Sequence, residues 1–277
     1  MPVIALTQGM GSLAQDIAEQ LAAELKLTTL QHEVAERVAT KMHVSKSLIS
    51  RLRAGKAGAI ERFTADRDAM AIYSAEEVLE AAARGNVVLR GWGATALLRP
   101  VPHVPCIRIL RPFAKRVQWL MTELDTDDVE TAEAEVRRSD ESNAARMHEQ
   151  FGVTWGDPVL FDLVLNTDRL SVDTCVQQIR ALLARPEFAE TEASRSLLMA
   201  MALHARVRAA LRADEATREV NISVEGSADR IALRGIVVSA GERIAVEQVV
   251  AAVPGVAAVD NELRVMAASR LFTSSKN

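Results

Sequence analysis

Cysteine is nearly missing from this chain. Only Cys106 and Cys175 occur among 277 residues, too isolated for a disulfide framework or a zinc cluster, and the usage fits a reducing cytoplasmic compartment. Aromatic residues amount to 4 %. With alanine, leucine and valine dominant, this argues against an aromatic-rich sandwich and for helices packed on a sheet. No apolar run reaches the roughly 18–20 residues that span a bilayer. The opening Met1-Pro2-Val3-Ile4-Ala5-Leu6 has neither the basic start nor the small-residue cleavage site of a signal peptide and reads as a buried strand. Positive charge is not in excess: the formal net charge is −4, so no global field draws nucleic acid or anionic lipid. The G-x-x-x-x-G-K-[ST] loop, the H-E-x-x-H pair and the G-x-S-x-G elbow are all missing. No set of metal-ligating residues stands out.

What the chain does contain is alternation. A short apolar run ending at Leu6 meets Gly9, Gly11 and Ser12, followed by a helix with Leu13, Ile17, Leu21 and Leu25 four apart. A second helix carries Leu30, Val34, Val38 and Met42 on one stripe, and Ser45 caps a basic third containing Lys46, Arg51 and Arg53. Residues 75–84 predict a helix ended by Gly85. Val87-Val88-Leu89 then predicts a strand buried on both faces, stopping at Arg90-Gly91-Trp92-Gly93. Residues 106–110 and 161–166 predict two more strands, and residues 113–123 a helix with Pro112 in its first turn. Residues 125–151 read as a long charged helical stretch, and Ser171 or Asp173 caps a helix through Leu183. Strands alternating with helices mean a parallel sheet covered on both faces, with binding at the carboxyl ends of the strands.

The texture changes after Arg185-Pro186. A helix from about 192 to 211 leads into Val220, Ile222 and Val224 alternating with polar residues. Gly226 is expected to turn the chain into a second strand through residues 231–238. A helix over residues 244–253 and a strand with Val256, Val259, Leu263 and Val265 complete a second, smaller set. The expected organisation is a domain at 1–185, a linker and helix at 186–202, a small α+β domain at 203–268 and a tail at 269–277.

Two local patterns carry chemistry. The turn of Gly9, Met10, Gly11 and Ser12 between strand and helix can aim backbone N–H groups at a phosphate, and a ligand-free tight turn fits the same residues. Residues 34–53 resemble a helix-turn-helix unit whose Lys46, Ser47 and Arg51 would reach DNA, a remote alternative to a surface helical hairpin inside the larger domain. The α/β setting and the negative net charge argue against nucleic acid.

Several segments together resemble the cytidylate kinase-like family of P-loop nucleotide kinases. They are Gly11-Ser12 with Ile17-Ala18, the run from Gly85 to Ala94, and most specifically Phe151-Gly152-Val153-Thr154-Trp155-Gly156-Asp157-Pro158 with the stretch from Leu160 to Ser171. The resemblance implies a P-loop nucleotide-kinase-like parallel sheet flanked by helices. It also implies transfer of a γ-phosphoryl group from ATP, with Mg2+, to a CMP-like nucleoside monophosphate, by positioning and charge neutralisation. It carries phosphate binding to Gly9, Gly11, Ser12, Arg90, Gly91 and Gly93. Catalytic roles fall to Arg116, Arg137, Arg138, Asp140 and Arg146, with Arg137 and Arg138 in a lid over the phosphates. A solvated helix face paired with Glu133, Glu135 and Glu141 also fits those two arginines.

Departures from the pattern are concentrated at the phosphates. Leu13 and Ala14 stand where glycines are expected, Trp92 and Asn143 where arginines are, and Gln31-His32 where an aspartate-arginine pair is. Residues 203–266 resemble a BON domain through Ile222-Ser223-Val224-Glu225-Gly226, Gly241-Glu242-Arg243 and Val253-Pro254-Gly255-Val256. That likeness implies a protein or phospholipid-headgroup partner and a regulatory role. The chain therefore reads as a nucleotide-binding protein, with phosphotransfer through degenerate residues and a catalytically inactive scaffold both left open.

Overall fold

The computed structural model describes residues 1–227 and 229–266. The expected tail at 269–277, and positions 267–268 before it, lie outside the described residues. Contacts divide the chain into two compact units, Met1–Leu198 and Met199–Asn277.

The first unit is built on five parallel strands, β1 (Val3–Gln8), β2 (Thr28–Leu30), β3 (Val87–Arg90), β4 (Cys106–Leu110) and β5 (Leu163–Asn166). Their order is β2-β3-β1-β4-β5. Val3, Ile4, Ala5 and Leu6 are all buried, as a strand covered on both faces requires. One face meets α1 (Ala14–Leu25) and α9 (Val172–Leu183): Ile17, Leu21, Val176 and Ile179 close over Ile4, Leu6, Ile107 and Leu165. Around the rest of the sheet lie α2 (His32–Lys41), α3 (Lys46–Arg53), α4 (Ala59–Thr64), α5 (Arg67–Arg84), α6 (Ala94–Leu97), α7 (Phe113–Leu124) and α8 (Val129–Phe151). Ser45 caps α3, Asp66 caps α5, Asp128 caps α8 and Ser171 caps α9, each accepting a backbone N–H of the first turn.

Some boundaries differ from expectation for local reasons. Leu30 closes β2 and does not open α2. Three residues are too few for strand alternation to show, so the sequence reads through them as helix. Pro112 is the N-cap of α7, one position before its first turn. Asp125 ends α7 in the left-handed conformation (φ 49°), which delays α8 to Val129.

The second unit follows within α10 (Glu192–Ala213). Strands β6 (Ser223–Ser227) and β7 (Arg230–Val237) form an antiparallel hairpin, and β8 (Ala258–Val265) joins β7 in parallel after α11 (Ala240–Ala251). Gly226 pairs with Ile231 inside the hairpin ladder, so the reversal lies beyond it. The core gathers Leu203, Val207 and Leu211 of α10, Val246 and Val250 of α11, and Val224, Ile231, Leu233 and Leu263 of the sheet. No helix among the described residues is long and apolar enough to cross a membrane.

Both thiols lie within the first unit's core. Burial, with Asp162 adding to it, pushes the Cys106 thiol up to about 12, and burial also raises Cys175. Since the thiolate is the reactive form, a disulfide-exchange reagent near about pH 8 should label neither cysteine in native protein and both after unfolding. Prompt labelling without denaturant would show that the sheet opens far more readily than this packing allows.

Candidate functional site

The two glycine turns leave the carboxyl ends of adjacent strands, because β1 pairs with β3 in the register Leu6↔Arg90. The N–H of Gly91 then donates to the Leu6 carbonyl at 3.0 Å. Beside β1 the chain order reverses, which is where an open α/β sheet offers its crevice. A cavity of about 310 Å³ lies there, lined by both turns.

At the first turn, successive peptide groups are held from behind. The Met10 carbonyl accepts from Arg116 Nη1 at 3.5 Å, the Gly11 carbonyl from Arg111 Nη1 at 3.3 Å, and the Ser12 carbonyl from Thr167 Oγ1 at 3.0 Å. In a trans peptide the N–H points opposite to the C=O, so the N–H groups of Gly11, Ser12 and Leu13 are turned the other way. None of the three has an acceptor among the described residues. Leu13 opens α1 in the left-handed conformation (φ 60°) and supplies no side-chain cap, so the positive end of the helix adds to these donors. Ser12 is buried, and neither its Oγ nor Gln8 Oε1 has a hydrogen-bond partner among the described residues. Glycine is required at position 11 by the approach of α7. A Cβ there would lie 2.9 Å from Trp119 Cε3 and 3.1 Å from the Arg116 carbonyl.

The second turn is more strained. Gly91, Trp92 and Gly93 all have positive φ (77°, 59° and 71°), costly for tryptophan. Trp92 is held there by its Nε1, which donates to the Gln31 carbonyl at 2.7 Å, and by the guanidinium of Arg53, 3.4 Å above its ring centroid. A Cβ at Gly93 would run into the Phe151 ring at 2.6 Å.

Three guanidiniums line the cavity: Arg53 from α3, Arg90 at the end of β3 and Arg146 from α8. Arg90 donates to Gln15 Oε1 at 3.4 Å, and Arg146 Nη1 donates to the Arg53 carbonyl at 2.9 Å. Among the described residues none of the three forms an ion pair. Burial pushes the pKa of each below the usual arginine value, most strongly for Arg53, where the charge of Arg146 adds to the effect. The cavity also holds all three tryptophans of the chain, Trp92, Trp119 and Trp155, and one acidic residue, Asp16.

Of the residues singled out from sequence, Gly9, Gly11, Ser12, Arg90, Gly91, Gly93 and Arg146 line this cavity; Arg116, Arg137, Arg138 and Asp140 do not. Arg116 makes a bidentate pair with Asp140 at 2.9 and 2.6 Å behind the first turn. Arg137 pairs with Glu133 at 3.3 Å and lies over Phe113, while Arg138 is engaged by Glu135. Among the cations of the suggested DNA-reading helix, Lys46 pairs with Glu36 and Arg51 with Glu61, while Arg53 points into the cavity. Arg53, Arg111 and Thr167 were not anticipated. Nothing local marks them, because each acts on a turn far away in sequence.

A model of the cytidylate kinase-like family matches residues 3–169, and a BON domain model matches residues 202–267. A cytidylate kinase from Pyrobaculum islandicum is 29 % identical over 178 residues, covering 64 % of this chain and 90 % of the relative. An uncharacterized protein from Eubacterium ventriosum, solved by crystallography, is 19 % identical. That likeness covers 67 % of this chain and 100 % of the other at a TM-score of 0.53, and concerns the fold alone. A shikimate kinase from Bacteroides thetaiotaomicron is 14 % identical, covering 66 % of this chain and 99 % of its own, at a TM-score of 0.42.

The Arg116–Asp140 pair makes the first turn's geometry testable. Asp140→Ala leaves a largely buried guanidinium unpaired and should cost about 2–3 kcal/mol in urea unfolding, slightly less than a fully buried pair because Asp140 is partly exposed. A loss below about 0.5 kcal/mol would put the pair with ordinary surface ion pairs and remove it from the turn's support.

Proposed function

Since the chain belongs to the cytidylate kinase-like family through residues 3–169, we propose that its first unit binds a nucleotide with the phosphates seated between the two glycine turns. One observation carries this reading: three half-buried arginines, none in an ion pair among the described residues, line the same cavity as Gly11, Ser12 and Leu13, whose N–H groups lack acceptors there. Burying like charges together is costly unless an anion accompanies them. A polyphosphate supplies it.

Ser12 Oγ and Gln8 Oε1, hard oxygen atoms at the cavity wall without partners among the described residues, would suit an Mg2+ ion accompanying the nucleotide. When bound, the ion neutralises phosphate charge. The protein's share is positioning: the first turn would hold phosphate oxygens through backbone donors, with Arg90 and Arg146 in the wall of the same cavity. Transfer to a nucleoside monophosphate would form a bond from an acceptor phosphate oxygen to the γ-phosphorus and break its bond to the β-γ bridging oxygen. With no lysine in the first turn and with asparagine at position 143, fewer cations follow the moving charge. The reading is therefore a nucleotide-binding domain of the nucleoside monophosphate kinase type in which binding outlasts rapid phosphotransfer.

The second unit is proposed to serve as a protein-interaction module. On its exposed sheet face Arg234 pairs across strands with Glu225 and Glu262, and Arg230 with Asp260. That face offers an anionic headgroup little uncompensated charge.

Magnesium ATP at about one hundred times its Kd should raise the unfolding free energy by about 2.7 kcal/mol. Ser12→Ala should be as stable as the parent without ligand, since it removes a hydroxyl that has no partner, yet bind about fivefold more weakly. No thermal shift at millimolar concentrations with ATP, CMP or both would leave an inactive scaffold as the function.

A further inference from the structure

The position between the second pair of glycines, where the family resemblance implies an arginine, holds Trp92. The same space is nevertheless cationic. Arg53, the last residue of α3, lays its guanidinium on the Trp92 ring, and its Nη2 comes within 3.8 Å of where a Cβ on Gly91 would stand. Both partners are fixed: α3 by the fully buried Ile49 and the Ser45 cap, and Trp92 by its bond to the Gln31 carbonyl.

We propose that Arg53 is a ligand-binding residue of this site, donating from its shelf on Trp92 to phosphoryl oxygens of the nucleotide and restoring from α3 the charge missing at position 92. The inference rests on the nucleotide reading above. Stacking covers the face of a guanidinium and leaves its in-plane N–H groups free to donate. Among the described residues, those of Arg53 donate to no acceptor. A guanidinium placed for packing alone would gain nothing from lying beside Arg146, and this one is brought there, with burial and Arg146 both disfavouring its charged form. The strain of the left-handed tryptophan has the same explanation. The αL backbone presents the ring to Arg53, and at such sites strain is commonly kept for function.

The test uses the full chain with Arg53→Met, which keeps length and stacking without charge, and Arg53→Lys, which keeps charge without the planar fork. Sodium tripolyphosphate and magnesium ATP are titrated against the fluorescence of the three tryptophans, and unfolding is followed without ligand. Arg53→Met should weaken tripolyphosphate binding about tenfold, the loss expected of a charge-assisted hydrogen bond, with an unliganded midpoint equal to or above the parent's. Arg53→Lys should fall between the two in affinity. A destabilised Arg53→Met with unchanged affinity overturns the proposal and makes Arg53 a packing residue. If Arg53→Met is both unstable and weak in binding, a stable Arg53→Lys decides: affinity above that of Arg53→Met supports the proposal, and affinity equally low overturns it. Normal binding by Arg53→Met alongside weakened binding by Ser12→Ala would sink this inference and leave the nucleotide site standing. Failure of the parent chain to bind either probe would remove both.

Discussion

Parallel pairing between β1 and β3 governs the rest of the first unit. It sets Leu6 beside Arg90, so two strands far apart in sequence end within two residues of each other, and both glycine turns open on the same crevice. A shift of one residue would turn every side chain of β3 to the opposite face and bring a different peptide of the second turn to the Leu6 carbonyl. The apolar runs of these strands are demanded by burial on both faces, and that burial makes the register specific.

On this frame the site keeps unfavourable features that the surroundings hold in place. Leu13 and Trp92 adopt left-handed backbone where glycine would cost nothing. Arg111, Arg116 and Thr167 hold three carbonyls outward, and the N–H groups of the first turn are thereby left without acceptors among the described residues. The partnerless Ser12 hydroxyl and the like charges of Arg53 and Arg146 add to the cost. Strain, orphaned donors and unpaired cations converge on one cavity, and a bound polyanion would relieve the last two together.

Much of this was legible in the sequence. Strand, glycine turn and helix follow from periodicity and from the freedom of Gly11 and Gly91, and four of the five parallel strands announce themselves as apolar runs. β2 does not, because three residues between two helices show no period. Arg53 was illegible for a different reason. Residues 43–53 carry a cap, an apolar stripe and regularly placed cations, a pattern shared by DNA-reading helices and by any basic surface helix. Only the tertiary fold shows that Lys46 and Arg51 are neutralised nearby while Arg53 reaches Trp92. Arg137 and Arg138 show the converse. The family motif marks them as lid cations, but the sequence also places Glu133 four positions before Arg137 and Glu135 three before Arg138, and the helix forms both pairs.

The central claim is that both glycine turns and the cations between them form one anion site. Hydrogen–deuterium exchange of the full chain, with and without saturating magnesium ATP, tests it most directly. The account predicts slower exchange in peptides covering residues 9–16 and 90–94 together, since the N–H groups of the first turn gain acceptors and the second turn is closed over by ligand. Unchanged exchange at both turns under saturating ligand, or protection confined to the second unit, would contradict it.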